Sequence, residues 1–222
     1  LLAEALRATS EAGTAASPMQ VVDLGSGGGG PWRRLVPRLA EEGVSVTVRL
    51  SDLHPNIAAF ERLARNSGGA IVGESRSVSA DAVPADLDGF RTMFTAFHHF
   101  SPDAARQVLH DAVAQRRGIA IFESTTRDMR TLAVMLLAPL AVWLTTPLLR
   151  PFRWSRLLLT YLLPLIPLVA LFDGVVSALR SYTPDELLAL AASVEGGETY
   201  DWSAGETGGG PIPMTYLIGR PK

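Results

Sequence analysis

Residues 21–32 read VVDLGSGGGGPW: an apolar run closes on Asp23, and five glycines then fall within six positions. No other stretch restricts the fold so strongly. Glycine has no Cβ, so it accepts positive φ and lets a ligand lie against the main chain, at an entropic cost that a plain surface turn would not justify five times over. The run before the glycines predicts a strand. After them Trp32, Leu35, Val36 and Leu39 recur at helical spacing, with Pro31 suited to a first helical turn and Pro37 to a kink. Strand, glycine turn and helix in that order form the first unit of a βα fold.

The pattern continues along the chain. VSVTVRLSD predicts a second strand and HPNIAAFERLARNSG a second helix with Ile57, Phe60 and Leu63 inward. AIVGES and FRTMFTAF give a third and fourth strand, and GIAIFES a fifth, fully apolar as a central parallel strand should be. Ser101 and Pro102 open a helix between the last two. Near the end, Thr183, Pro184, Asp185 and Glu186 make a capping box, and TYDWSAGE and PMTYLIGR form a hairpin across TGGGP, so one closing strand runs antiparallel. Residues 1–13 read as an amphipathic helix with Leu1, Leu2, Ala5 and Leu6 on one face, not as a signal peptide. These elements predict a three-layer α/β sandwich. Its core comprises 1–130 and 173–222, as one domain of a 222-residue chain.

Residues 131–172 break the pattern. Stretches 131–149 and 157–172 carry no charge, RPFRWSR separates them, and five prolines interrupt them. A membrane span needs about 20 apolar residues. The segment is open to three readings: two spanning helices, a membrane-surface hairpin, or an apolar lid over the site, of which the lid is preferred. Its outer faces are then expected to meet a second copy of the chain or a membrane surface. Arg150, Arg153 and Arg156 would meet anionic lipid or a substrate carboxylate, or simply form a solvated turn. The expected location is cytoplasmic, with membrane association as the added feature of this insertion.

Composition removes several functions. With 20 basic and 22 acidic residues the formal charge is -2, so no nucleic-acid partner is expected. No cysteine is present, and four histidines without an i,i+4 pair give no metal set.

Two ligand classes suit the glycine turn. Gly25, Gly27 and Gly30 satisfy G-x-G-x-x-G, with Asp52 about 20 residues on, as in dinucleotide-binding folds. Asp23, Gly25, Gly27 and Gly29 equally satisfy D-x-G-x-G-x-G, and a carboxylate at the turn repels a pyrophosphate but favours a ligand bearing ammonium and sulfonium. On VVDLGSGGG, LSD, SADAV and TAFHHF, in that order and spacing, the chain resembles the class I S-adenosylmethionine-dependent methyltransferases over almost its whole length. The resemblance implies a mostly parallel seven-stranded sheet and S-adenosylmethionine (SAM) as cofactor. It assigns cofactor contacts to Asp23, Gly25, Gly27, Gly29, Asp52, Leu53, Asp81 and Ala82. Asp52 would hold the ribose hydroxyls, Asp81 would lie near the adenine amino group, and Ala82 would lie beside the ring. Extra glycines and the long apolar insertion depart from the family's pattern.

Each assignment has a plainer counterpart. Asp23 could cap its own glycine turn, Asp52 could initiate the turn before its helix, and Asp81 could be a solvated loop carboxylate. His98 and His99 are candidates to take a proton from an acceptor hydroxyl or amine, against a packing role for FHHF. Glu123, Asp173 and Tyr161 are candidate substrate contacts in or beside apolar sequence. The expected reaction is methyl transfer to an O, N or C atom of a small lipophilic acceptor. The alternative is a membrane-associated or non-catalytic cofactor-binding protein that uses the insertion as an anchor.

Overall fold

Each apolar run read as a strand is one in the computed structural model, which describes residues 1–10, 17–208 and 213–222. In chain order the strands are β1 (Met19–Asp23), β2 (Val46–Leu50), β3 (Ile71–Gly73), β4 (Phe90–Phe94), β5 (Ile119–Glu123), β6 (Tyr200–Thr207) and β7 (Met214–Pro221). They form one seven-stranded sheet in the order β3-β2-β1-β4-β5-β7-β6. β1 to β5 pair in parallel, and β7 runs antiparallel to both β5 and β6. Residues 209–212, which include the end of the expected TGGGP turn, and 11–16, which include the last three residues of the helix expected over 1–13, lie outside the described residues.

Alternation along the strands sorts side chains into two cores. Ile119 and Ile121 of β5 pack on one face with Val22, Met93 and Leu217, while Ala120 and Phe122 pack on the other with Val21, Val48 and Ile218. Helices α4 (Pro102–Ala114) and α9 (Pro184–Ala192) cover the first face, through Val108, Leu109, Leu187 and Leu190. Helices α1 (Leu2–Ser10), α2 (Trp32–Glu41) and α3 (Ile57–Arg65) cover the second, through Leu6, Trp32, Leu39 and Phe60. The fold is therefore a three-layer α/β sandwich. Two expected inward residues are not inward: Leu1 and Ile57 each sit at the start of their helix and are exposed, whereas Ala59 and Phe60 carry the buried face of α3. Pro31 is the N-cap of α2 rather than its first residue, and Pro37 lies within that helix. Ser101 and Thr183 cap α4 and α9 as expected, the latter in a complete capping box with Glu186.

After β5 the chain leaves the sheet. Helices α5 (Met129–Leu136) and α6 (Ala138–Thr145) form the outgoing arm, and α7 (Trp154–Leu157), a π-helical turn Leu158–Leu162 and α8 (Leu165–Arg180) form the return. Pro139 falls in the first turn of α6, and Pro164 caps α8. The prolines thus divide the segment into short helices rather than kinking long ones. Within 131–172 the buried residues are Thr131, Thr146, Thr160 and Pro167. The covered apolar inner faces expected of a lid are accordingly absent from most of the segment.

Candidate active site

The chain builds outward from β1 to β2 and β3, then returns to the other side of β1 for β4 and β5. Between β1 and β4 the connections leave in opposite directions, and the resulting crevice at the carboxyl ends of the strands is where open α/β sheets bind ligands. Asp23, Ser51 and Glu123 end or follow β1, β2 and β5 at that rim, and the 95–99 turn follows β4.

Asp23 is 1 % exposed. Its Oδ1 accepts from Thr92 Oγ1 at 2.7 Å and its Oδ2 from Ser26 Oγ at 2.6 Å, while its main-chain oxygen accepts from Ser51 N at 2.9 Å. The carboxylate thus lies beneath the glycine loop and fastens it to β2 and β4. These bonds match the turn-capping role set out as its plainer reading. Burial raises its pKa from 3.8 to about 6, against the lowering effect of its hydroxyl donors.

The glycines above it differ in their reasons. Gly27 has φ +53 and open space where a Cβ would stand, and its N–H donates to Asp52 Oδ2 at 2.7 Å. Gly29, at φ +103, would place a Cβ 1.9 Å from Leu63 Cδ1, so both its backbone conformation and the packing of Leu63 from α3 favour glycine there. A Cβ on Gly25 would lie 3.3 Å from Ala96 Cβ, which sets the glycine loop against the turn after β4.

Asp52 is half-buried and also accepts from His54 N at 2.8 Å, so the turn-initiating role expected as its alternative is present together with the bridge to Gly27. Its main-chain oxygen accepts from Val78 N at 2.9 Å, and the carbonyl of Leu53 accepts from Ser77 Oγ at 2.7 Å. These bonds bring the segment carrying Asp81 and Ala82 alongside Asp52 and Leu53. Asp81 is exposed and accepts from Ser79 Oγ. Ala82 and Leu53 are exposed as well.

The second group of residues follows β4. Thr95, a β-branched residue, has φ +51, and the chain then enters a 3₁₀ turn Phe97–His99. His98 is 4 % exposed, and its Nδ1 lies 2.6 Å from Glu123 Oε2. The other oxygen of Glu123 accepts from Phe97 N at 2.6 Å. A carboxylate accepts, so Nδ1 carries the proton and the lone pair of the neutral ring is on Nε2, which has no hydrogen bond among the described residues. His99 is exposed, with its ring 4.2 Å from that of His98. Burial, then His98, holds His99 below the usual imidazole value, while Glu123 and Asp173 act in the opposite sense.

Glu123 therefore orients a histidine and does not stand free in an apolar pocket as the sequence suggested. Asp173 is exposed on α8, at an open apolar depression of about 300 Å³ lined with Leu165, Ile166, Val169 and Ala170. The Tyr161 hydroxyl donates to Trp143 O at 2.5 Å within the insertion, so it is committed there and not presented to the site. Ser26, Ser51 and Thr92 complete the site and carry no sequence motif of their own. Among the described residues no group of three or more His, Cys, Asp or Glu side chains is placed to hold a metal ion.

No family model matches the chain, and no curated protein matches it. Solved structures do. LepI in complex with SAM superposes with a TM-score of 0.54 at 15 % identity, over 98 % of this chain and 46 % of that one. The CurJ carbon methyltransferase gives 0.55 at 9 % identity, over 96 % and 50 %. A Rhodobacter sphaeroides protein named for the Zn-dependent alcohol dehydrogenases gives 0.53 at 12 % identity, over 99 % and 90 %. The chain spans about half the length of the first two. These likenesses establish a Rossmann-like fold of the kind found in class I methyltransferases.

Proposed function

We propose that this chain, having the class I methyltransferase fold, transfers a methyl group from SAM to a nucleophilic atom of a small lipophilic acceptor. The observation that supports the reading best is the His98–Glu123 pair, 2.6 Å apart and held on the turn that packs against the glycine loop. The residues present fit the cofactor. Gly27 and Gly28 leave open space over their backbone, and Asp52 offers a carboxylate at the end of β2 to hydroxyl or cationic groups. SAM, when bound, supplies a methyl group already activated by its sulfonium.

What remains for the protein is alignment, exclusion of water and removal of a proton. Glu123 holds the His98 ring with Nδ1–H toward itself and stabilises the imidazolium that forms when Nε2 takes the acceptor's proton. Asp23, Thr92 and Ser26 keep the loop in one conformation without touching the reacting atoms.

Calorimetry with S-adenosylhomocysteine (SAH) tests the reading. Native protein is expected to bind, and Asp52→Ala to lose about 1.5 to 3 kcal/mol, the range for hydrogen bonds to charged groups. His98→Gln should bind normally and not turn over. Binding of a nicotinamide dinucleotide in place of SAH would transfer the glycine loop to the G-x-G-x-x-G reading and end this one.

A further inference from the structure

We infer that residues 129–180 form a helical hairpin seated in the hydrocarbon of a lipid bilayer, with its base at the headgroups beside His99 and its tip at Arg150, Arg153 and Arg156. The first ground is where the apolar side chains lie. Of the 25 large apolar residues exposed among the described residues, 18 fall between Met129 and Phe172, including Leu144 at 67 %, Phe172 at 70 % and Trp154 at 77 %. The buried positions of 131–172 are three threonines and a proline. That is the reverse of a water-soluble helix pair, whose apolar faces turn inward and whose exposed apolar patches stay small.

Polar groups give a second, independent ground. Thr145 and Thr146 donate to the carbonyls of Ala141 and Val142, each at 2.7 Å. Trp143 Nε1 donates to Thr160 O at 3.1 Å, Tyr161 to Trp143 O at 2.5 Å, and Thr131 Oγ1 pairs with Thr126 Oγ1 at 2.6 Å. These donors are satisfied inside the hairpin or at its base, as a solvent that cannot hydrogen-bond requires.

Length and ends agree. The helical stretch Met129–Leu148 has 20 residues, about 30 Å at the α-helical rise, which matches the hydrocarbon thickness. Only a small part of that stretch is buried against the rest of the chain, so it is not the core helix of a soluble protein. The return arm bends by 74° between Leu162 and Leu165, which turns α7 and the π-helical turn across the end of α8. Arg127, Arg130 and Arg180 flank the base. At the tip, three arginines stand beside exposed Phe152 and Trp154, the mixture that membrane interfaces hold. No acidic residue occurs between Asp128 and Asp173. A second copy of the chain is the weaker occupant: α6 has no buried residue and is apolar round its circumference, and a two-fold interface would cover one side of it only.

The seat also gives the acceptor a route. α8 packs against the 3₁₀ turn of His98 and His99, and its open depression runs from Leu165 to Asp173. On the methyl-transfer reading, on which this step alone rests, the acceptor is an amphiphile whose apolar body stays in the bilayer while its polar end reaches His98.

Flotation of the full chain with vesicles of phosphatidylcholine and phosphatidylglycerol tests the seat. Native protein should float and remain bound after a high-salt wash. Leu140→Asp or Val169→Asp should lower the lipid–water partition constant, read from flotation over a range of vesicle concentrations, about a hundredfold, the cost of one acidic side chain at the bilayer centre, while Leu140→Met should not. Leu140 and Val169 are both exposed, so the fold should persist, and SAH binding in detergent checks that it does. Quenching by brominated lipid, lost in large part in Trp154→Phe, reports the tip. Native protein left in the aqueous fraction, stripped by salt, or floating equally well as the Asp variants would overturn the seat. Flotation without any SAH binding would overturn the methyl-transfer reading and leave the seat standing.

Discussion

Asp23 illustrates how far a residue's type can be read from sequence and where its geometry escapes. Its position after a strand and before glycines is legible. Its partner Thr92 is 69 positions away and becomes a neighbour only because β4 pairs with β1. A carboxyl whose folded pKa is raised from 3.8 to about 6 contributes stability that is full below the unfolded value and lost as pH rises through about 6. Asp23→Asn carries no such titration. Urea unfolding at about pH 4 and about pH 7 should show the native chain losing about 2.4 kcal/mol relative to the variant across that interval, from about 1.4 kcal/mol per pH unit over the part of the shift above pH 4. At the other end of the site, Glu123→Gln keeps an acceptor for Phe97 N but no charge to balance an imidazolium. It should leave SAH affinity unchanged and lower kcat by about 10²- to 10⁴-fold, the span of general base catalysis. Sequence reading found both His98 and Glu123 but not their pairing, because nothing local links residues 25 positions apart.

Elements were the most legible scale wherever periodicity and caps agree. The strands and α4 and α9 follow their patterns, and Thr183→Ala should cost about 1 kcal/mol in a thermal or urea melt, the usual worth of such a cap. The two glycines of the loop make a sharper comparison. Gly27→Ala meets no neighbouring atom and costs only the left-handed backbone, about 1 to 2 kcal/mol. Gly29→Ala, at φ +103, meets a larger backbone cost and also brings a methyl against the end of the Leu63 side chain, which must turn aside, so its melting temperature should fall further. Sequence treated these glycines alike, since a motif records the absence of a side chain and not what stands in its place. The insertion was least legible as elements. Four of its prolines fall at helix starts and Pro151 in the turn before α7, and the π-helical turn has no sequence mark.

For the whole molecule, the apolar runs and the closing hairpin predicted seven strands and the resemblance implied a mostly parallel sheet, but the strand order was not legible, since alternation says which residues face inward and not which strands are neighbours. The insertion was recognised as anomalous by composition, and its inner faces were expected to pack over the site while its outer faces met a second copy of the chain or a membrane surface. The body instead leaves it bare, because a sheet already faced with helices on both sides has no free apolar surface to offer. Purified without lipid or detergent, the native chain should therefore associate in a concentration-dependent way by light scattering, and Leu140→Asp with Val169→Asp should reduce that association. The topology has a further consequence for synthesis. β5 pairs with β7, so Ile119 waits for Gly219, 100 positions later, and the apolar arms leave the ribosome while that strand still has a bare edge. Contacts so far apart in sequence form slowly. On the proposed membrane seat the apolar arms would thus find their solvent first, and the body would close around β5 only afterwards, already held at the bilayer surface.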